Sequence, residues 1–213
     1  MKTILLTGAS GGIGAAIKNE LEALGHRVIA TTQADANLGK WEDIVRLKER
    51  VLATGAQLDW VICAHGFIDT EQTLEQVTQE NIETTFAVNT LSIIYLAQQL
   101  LPHITQGGGV IALSSAAGLE ANGRMAVYSA SKAAVNNFMQ GLARNRPEQK
   151  FFAVCPGPTN TPMRERVAHD AAKQQAPSVV AAVVADLIEG RGDYLSGDVV
   201  LVKNGETSIA QRI

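Results

Sequence analysis

Residues 7–14 read TGASGGIG and directly follow the apolar run Ile4-Leu5-Leu6. Three spaced glycines therefore stand between a short β-type segment and an alanine-rich segment with helical periodicity. Glycine tolerates φ > 0 and lets another molecule approach the backbone closely. A strand, a glycine turn and a helix in succession predict a helix N-terminus at which a pyrophosphate can bind.

The same alternation of short apolar runs and longer helical segments continues along the chain. Strands are predicted at 3–7, 27–31, 60–64, 109–114, 151–155 and 199–202. Helices are predicted at 14–24, 42–53, 81–101, 128–144 and 178–189. Apolar runs of this length are typical of parallel strands that are buried on both faces. We therefore predict an α/β protein with one domain over 1–213, a doubly wound parallel sheet flanked by helices on both faces.

The composition excludes several classes of protein. The chain has 213 residues, 46% of them hydrophobic, and a net charge of −3 without a basic block, so nucleic acid is not an expected partner. No apolar stretch reaches the roughly 18 residues of a membrane span, and the run TILLT is too short for a signal-peptide core. Two cysteines in apolar runs and four scattered histidines predict a cytoplasmic protein with no disulfide framework and no metal site.

Each glycine of the turn has an expected task if a dinucleotide binds there. Gly8 allows the tight turn, Gly12 the close approach of the pyrophosphate, and Gly14 the close packing of helix on strand. A turn that only connects strand to helix is the alternative. The spacing TGxxxGxG resembles the cofactor motif of the short-chain dehydrogenase/reductase family. The resemblance implies a Rossmann-type fold, hydride transfer between NAD(H) or NADP(H) and an alcohol or carbonyl, and cofactor contacts from Ser10 and Ile13.

A second motif lies in residues 110–134, which read VIALSSAAGLEANGRMAVYSASKAA. Tyr128 stands thirteen residues after Ser115, and Lys132 four after Tyr128, so the last two share a helix face. A carbonyl that receives hydride needs a proton donor, and a nearby ammonium lowers the tyrosine pKa from about 10. We expect Tyr128 to be the acid/base, Lys132 to lower its pKa, and Ser115 to stabilise the oxyanion.

The spacing of these three residues matches the catalytic serine, tyrosine and lysine of the same family. The resemblance also assigns Tyr128 and Lys132 to the cofactor site, with Lys132 on the nicotinamide ribose. A solvated helix face is the alternative for the Tyr-Lys pair, and a local backbone bond is the alternative for Ser115.

The stretch Phe86-Ala87-Val88-Asn89-Thr90 resembles the family's helix asparagine motif. The resemblance implies that Asn89 holds a water that contacts Lys132 and extends a proton relay. A core asparagine satisfied by backbone carbonyls is the alternative.

The segment CPGPTNTPM at 155–163 is similar to the family's loop after the next strand. Pro156, Gly157 and Thr161 match, which implies that this loop covers the nicotinamide and that Thr161 bonds its carboxamide. Thr159 is assigned to the cofactor too, although it also suits a proline-rich turn. A short substrate loop is predicted at about 158–177, where Arg164 or Arg166 could meet an anionic substrate or simply be solvated.

One departure from the family is the run Cys63-Ala64-His65-Gly66, where members usually have Asn-Asn-Ala-Gly. We expect Ala64 and Gly66 to contact the cofactor, since the glycine still allows backbone approach to the adenosine ribose. His65 is a candidate site residue or a solvated loop histidine, and Cys63 is a small core residue.

A second departure concerns the cofactor. Members that prefer NAD usually carry an acidic residue at the end of the second strand. Here residues 30–33 read ATTQ, and Gly11 stands where many NADP-preferring members have a basic residue. We expect NADP(H) in preference to NAD(H), with Thr32 at the ribose, and Asp35 on the adenine within a shortened connection at 34–38.

Together these motifs predict an NAD(P)-dependent oxidoreductase that interconverts a small-molecule alcohol and carbonyl. The alternative is a catalytically idle NAD(P)-binding regulatory or interaction protein of the same fold. By resemblance, a homodimer or homotetramer is expected.

Overall fold

The computed structural model describes residues 1–69, 73–120, 123–167 and 174–213. These residues form a seven-stranded sheet in the order β2-β1-β3-β4-β5-β6-β7, in which the first six strands are parallel and β7 pairs antiparallel with β6. The strands are β1 (Thr3–Thr7), β2 (Arg27–Thr31), β3 (Leu58–Cys63), β4 (Ile104–Leu113), β5 (Lys150–Pro156), β6 (Val199–Lys203) and β7 (Glu206–Gln211).

Helices cover both faces of this sheet. They are α1 (Gly12–Ala23), α2 (Trp41–Ala53), α3 (Gln79–Phe86), α4 (Ser92–Leu100), α5 (Ala126–Asn145), α6 (Pro162–Glu165) and α7 (Pro177–Glu189). Neighbouring residues of β1 pack into the two hydrophobic cores on opposite faces of the sheet. Leu5 packs with side chains of α2, α4 and α5, whereas Ile4 and Leu6 pack with those of α1 and α7. Burial on both faces explains the continuous apolar runs and confirms the predicted doubly wound sheet.

The largest differences from the sequence prediction are in one long helix and in one additional strand; in addition, α6 lies within the predicted substrate loop, and β4 begins five residues earlier than predicted. The long helix predicted at 81–101 is α3 and α4 joined by a π-helical turn at Ala87–Leu91. The strand β7 was not predicted, because its side chains are exposed on both faces and show no buried alternation. It is joined to β6 by Asn204 and Gly205, whose φ values of 56° and 82° are those of a tight hairpin turn, for which Asn-Gly is the strongest local signal.

The glycine turn links β1 to α1 through very close backbone packing. Gly8 has φ of +72°, and a Cβ on it would lie 2.5 Å from the backbone nitrogen of His65. A Cβ on Gly14 would lie 2.1 Å from the carbonyl oxygen of Gly8. The helix begins after Gly11, and no side chain caps it.

We predict that Gly14→Ala destabilises the protein by about 3 kcal/mol, because its new methyl group would meet backbone that cannot move aside. Gly11→Ala is the matched control, since its Cβ would have a nearest contact of 3.4 Å. The control should change the free energy of unfolding by less than about 0.5 kcal/mol. Alanine stabilises the protein by lowering the entropy of the unfolded chain, and it destabilises the protein by being a poorer N-cap than glycine, so the two effects offset each other. Urea unfolding measures both, and equal losses in the two variants would contradict this packing.

Candidate active site

The predicted catalytic residues meet at the carboxyl ends of β3, β4 and β5. A cavity of about 590 Å³ opens there. Its described lining includes ten of the residues predicted from the sequence: Ile13, Ala64, Gly66, Ser115, Tyr128, Lys132, Pro156, Gly157, Thr159 and Thr161. Of the other predicted residues, Gly8, Ser10, Gly12 and Gly14 belong to the glycine turn, Thr32 and Asp35 follow β2, and Asn89 lies in the π-helical turn. This edge is where open parallel sheets bind ligands.

Lys132 is a buried cation at the centre of this edge. Its ammonium Nζ donates to the carbonyl oxygen of Leu113, the last residue of β4, at 2.8 Å and lies 5.9 Å from the centroid of the Tyr128 ring. Gly66 lies beside the ammonium, since a Cβ there would be in van der Waals contact with Nζ at 3.5 Å. Burial lowers the pKa of Lys132 from 10.5 to about 8.

Tyr128 does not have the lowered pKa that the sequence analysis expected from Lys132. Burial raises the pKa of Tyr128, a hydrogen bond with Ser115 opposes the rise, and the nearby Cys155 adds to it. The prediction is therefore wrong for the protein without a ligand, because removing water disfavours the phenolate. The phenol is kept protonated, which is the state of an acid.

The two serines at the end of β4 have different partners. The Ser114 hydroxyl is buried and donates to the carbonyl oxygen of Lys132 at 2.9 Å. Ser115 accepts a hydrogen bond from the Ala117 backbone at 3.1 Å, and its hydroxyl acts to lower the pKa of Tyr128. The hydroxyl beside the phenol is that of Ser115, the serine that the spacing selected.

Asn89 is fully buried, and its side-chain amide is engaged by the protein. Its Oδ1 accepts from the Phe67 backbone nitrogen at 2.7 Å, while Nδ2 donates to the Phe67 carbonyl at 2.8 Å and to Ser131 Oγ at 3.1 Å. Both amide protons are thus used within the described residues. The side chain fixes the chain after Gly66, whose own Cβ would come within 3.4 Å of Oδ1.

His65 is the site residue whose role the sequence did not indicate. Its Nδ1 lies 2.6 Å from the hydroxyl of Thr7 at the end of β1, and its Nε2 lies 2.7 Å from the hydroxyl of Ser92. Since Ser92 donates to the Val88 carbonyl at 2.6 Å, we assign the proton to Nε2 and let Thr7 donate to Nδ1. Burial, and then the charge of Lys132, lower the pKa of His65 from 6.5 to about 3.

The two cysteines are buried near Lys132. Burial raises the pKa of Cys63 to about 12 and that of Cys155 to about 11. Both are neutral thiols at physiological pH, as inert core cysteines are.

The loop after β5 reaches back over the glycine turn. A Cβ on Gly12 would lie 2.7 Å from Thr161 Cγ2, and the Thr161 hydroxyl caps α6 by accepting from the Arg164 backbone. Thr159 donates to the Gly157 carbonyl at 2.9 Å and accepts from Gln175, so its hydroxyl has the turn role. Residues 168–173 of the predicted substrate loop lie outside the described residues.

The structure places the guanidinium of Arg50 beside the segment that follows β2, a neighbour that the sequence analysis did not identify. The Asp35 carboxylate folds back onto Thr32, accepting from its backbone nitrogen at 2.7 Å and its hydroxyl at 2.8 Å. These bonds lower the pKa of Asp35, and Arg50 adds to the effect. The Arg50 guanidinium donates to the Asp35 carbonyl at 2.9 Å. Arg50 comes from α2, fifteen residues away along the chain, so no local motif could indicate it.

Comparison with known proteins agrees with the fold and the site. Residues 31–172 match the family model described as short chain dehydrogenase. A short-chain dehydrogenase/reductase of Pestalotiopsis microspora is 30% identical over 201 residues, which cover 83% of this chain and 74% of the relative. The chain therefore belongs to the short-chain dehydrogenase family.

Solved structures have the same architecture. The structure of a short chain dehydrogenase from Burkholderia cenocepacia in complex with NADP has a TM-score of 0.85 and 27% identity, covering 96% of this chain and 97% of its own. That of a 3-ketoacyl-(acyl-carrier-protein) reductase from Brucella melitensis complexed with NADH has a TM-score of 0.90 at 19% identity, with 96% and 97% coverage. Within the described ranges, no helix has the length and apolar character needed to cross a membrane.

The half-buried His65 predicts a specific loss of stability in acid. Its pKa is about 3 when folded and 6.5 when unfolded, so between these values only the unfolded chain binds the proton. The free energy of unfolding should therefore fall as the pH drops below 6.5, by about 2 kcal/mol at pH 5 from this residue alone.

The measurement is urea unfolding at pH 7.5 and pH 5 for the wild type, His65→Gln and His103→Gln. We expect His65→Gln to have the smaller acid loss, while His103→Gln, which replaces an exposed histidine, behaves as the wild type does. The same acid loss in the wild type and in His65→Gln would rule out an imidazole that the fold holds neutral at position 65.

Proposed function

We propose that this short-chain dehydrogenase family member interconverts an alcohol and a carbonyl compound with a nicotinamide cofactor, using Tyr128 as the general acid/base. The observation that carries the proposal is the meeting of Tyr128, Ser115 and Lys132 on one cavity at the carboxyl edge of the sheet. The glycine turn fits a dinucleotide, because the start of α1 has no side-chain cap and leaves N–H groups for a pyrophosphate.

The side chains of the cavity divide the work of proton transfer. The cofactor, when bound, supplies or accepts the hydride. Tyr128 donates its phenolic proton to the carbonyl oxygen in reduction and removes the hydroxyl proton in oxidation. Ser115 donates a hydrogen bond to the same oxygen as its negative charge grows.

Lys132 acts through charge. The ammonium favours the phenolate at the moment when Tyr128 has lost its proton, and with a pKa of about 8 it is still largely protonated at pH 7. We propose that it also binds the nicotinamide ribose, and that Asn89 acts as a positioning residue beside it for a proton relay. Nothing in the described part of the site favours the catalytically idle alternative.

We predict that Tyr128→Phe lowers kcat by at least about 100-fold, because the variant has no proton to donate. The control is Tyr95→Phe, since Tyr95 packs edge-on against Trp41 and is not in the described cavity lining. Oxidation of NADPH or NADH is followed with a panel of aldehydes and ketones. Turnover at the wild-type rate in Tyr128→Phe would refute the assignment, and cofactor binding without turnover across the panel would favour the idle protein.

For the cofactor we propose a preference for NADP(H). The neutral residues at the end of β2 and the nearby Arg50 guanidinium support it, and so does the NADP complex of the relative with 27% identity. The Asp35 carboxylate works against a 2′-phosphate, although its bonds to Thr32 and its proximity to Arg50 moderate that charge.

This preference predicts opposite effects of two substitutions. Arg50→Ala should weaken NADPH binding about fivefold, and Asp35→Ala should strengthen it by a similar factor, as expected for exposed charges. Arg50→Ala should not change NADH binding by that much. Arg46→Ala is the control, because Arg46 lies on the same helix and pairs with Asp43. Calorimetric titration measures all of these, and tighter binding of NADH than of NADPH by the wild type would contradict the preference.

The proposal also includes the domain organisation, the cellular location and the oligomeric state. Residues 1–213 act as one cofactor-binding domain with a substrate loop at about 158–177, and the protein works in the cytoplasm. A homodimer or homotetramer is proposed through the helical face where Ile82 and Leu91 are exposed.

A further inference from the structure

Arg164 places in the wall of the active-site cavity a cation whose guanidinium has no partner among the described residues. The residue lies in the short helix α6 after β5, and its side chain is half-buried and lines the cavity. Its Nε atom is buried and donates to no described group. A buried charged donor without an acceptor is costly, so this atom indicates an acceptor that the described residues do not supply, and an anion would also match its charge.

The other charges of the cavity are already engaged. Lys132 donates to the Leu113 carbonyl, and Lys203 lies 3.8 Å from the Glu120 carboxylate. The charged side chains of the described lining are Lys132, Arg164 and Lys203 against Glu120, which leaves two positive charges in excess. Among these three described cations, Arg164 is the one whose side chain contacts neither a carbonyl oxygen nor a carboxylate.

The position of the cavity favours the substrate over the cofactor phosphates as the partner. Of the glycine turn, only Ile13 contributes to the described lining, whereas Gly12 and Gly14, which flank the expected pyrophosphate position, do not. The wall that holds Arg164 also holds Met163 and Val167, and it faces the same space as Tyr128. An apolar wall with one cation suits a substrate with a carbon chain and an anionic end.

We propose that the substrate is a carbonyl compound, or the corresponding alcohol, that carries an oxyanion, and that Arg164 binds this group. A guanidinium presents a planar pair of donors that matches a carboxylate or phosphate, and it stays charged at every physiological pH. The proposal rests on the proposed oxidoreductase function and adds a substrate class to it.

The test compares charged and neutral forms of the same carbonyl compound. Keto acids of increasing chain length are paired with their methyl esters, and dihydroxyacetone phosphate with dihydroxyacetone, at saturating cofactor. Arg164→Met should lower kcat/KM for the charged member of the preferred pair about 10- to 100-fold. It should leave the neutral member within about threefold, and Arg164→Lys should restore part of the loss.

Arg166→Met is the matched control, because Arg166 is exposed two residues away and is absent from the described lining. It should change neither member of the pair. Equal losses for the charged and neutral members in Arg164→Met would overturn the proposal. So would a loss of NADPH affinity of the same size, which would assign Arg164 to the cofactor phosphates instead.

A binding measurement separates this proposal from the proposed function. Calorimetry with cofactor-saturated protein detects the keto acids and dihydroxyacetone phosphate whether or not they react. If one binds and the Arg164→Met variant loses that binding, the anion site stands even when no carbonyl is reduced. If neutral carbonyls are reduced while no charged probe binds more tightly than its neutral partner, the function stands and the anion site is refuted.

Discussion

The buried ammonium of Lys132 is the constraint on which the rest of the site depends. It lies at the end of the central strand β4, bonded to the Leu113 carbonyl, where burial lowers its pKa to about 8. A buried charge makes a second cation packed directly against it unfavourable. Its neighbours are neutral at physiological pH, since burial raises the thiol pKa values of Cys63 and Cys155 and lowers the imidazole pKa of His65. The helical spacing of Tyr128 and Lys132 keeps the phenol within reach of this charge.

His65 connects the two halves of the site. One ring nitrogen meets Thr7, which leads into the glycine turn, and the other meets Ser92, which ends the π-helical turn of Asn89. The extra residue of a π-helical turn shifts the helix relative to a regular α-helix, and such turns are frequent at functional sites. A neutral imidazole with one donor and one acceptor can satisfy both hydroxyls at once. His65 therefore joins the glycine turn to the π-helical turn.

The fold could be predicted largely from local pattern. Runs such as TILLT are apolar on both faces, which indicates buried strands. The spacing of Ser115, Tyr128 and Lys132 can be identified from the sequence alone, with no information on contacts. What escaped prediction depends on partners far apart in the chain. Asn89 bonds the backbone of Phe67, Arg50 bonds the carbonyl of Asp35, and a long apolar helix reads the same with or without a π-helical turn. The pKa of Tyr128 was predicted with the wrong sign because the sequence shows the neighbouring charge but not the depth of burial.

The ionisation of Lys132 is the measurement that tests this account most directly. Lysine labelled with ¹³C at Cε is followed by NMR while the pH is raised, and the Lys132 signal is assigned by its absence from Lys132→Met. The account predicts a midpoint near the pKa of about 8 in the protein without cofactor. A midpoint at the ordinary lysine value of about 10.4 would contradict the buried ammonium and the arrangement of neutral groups around it.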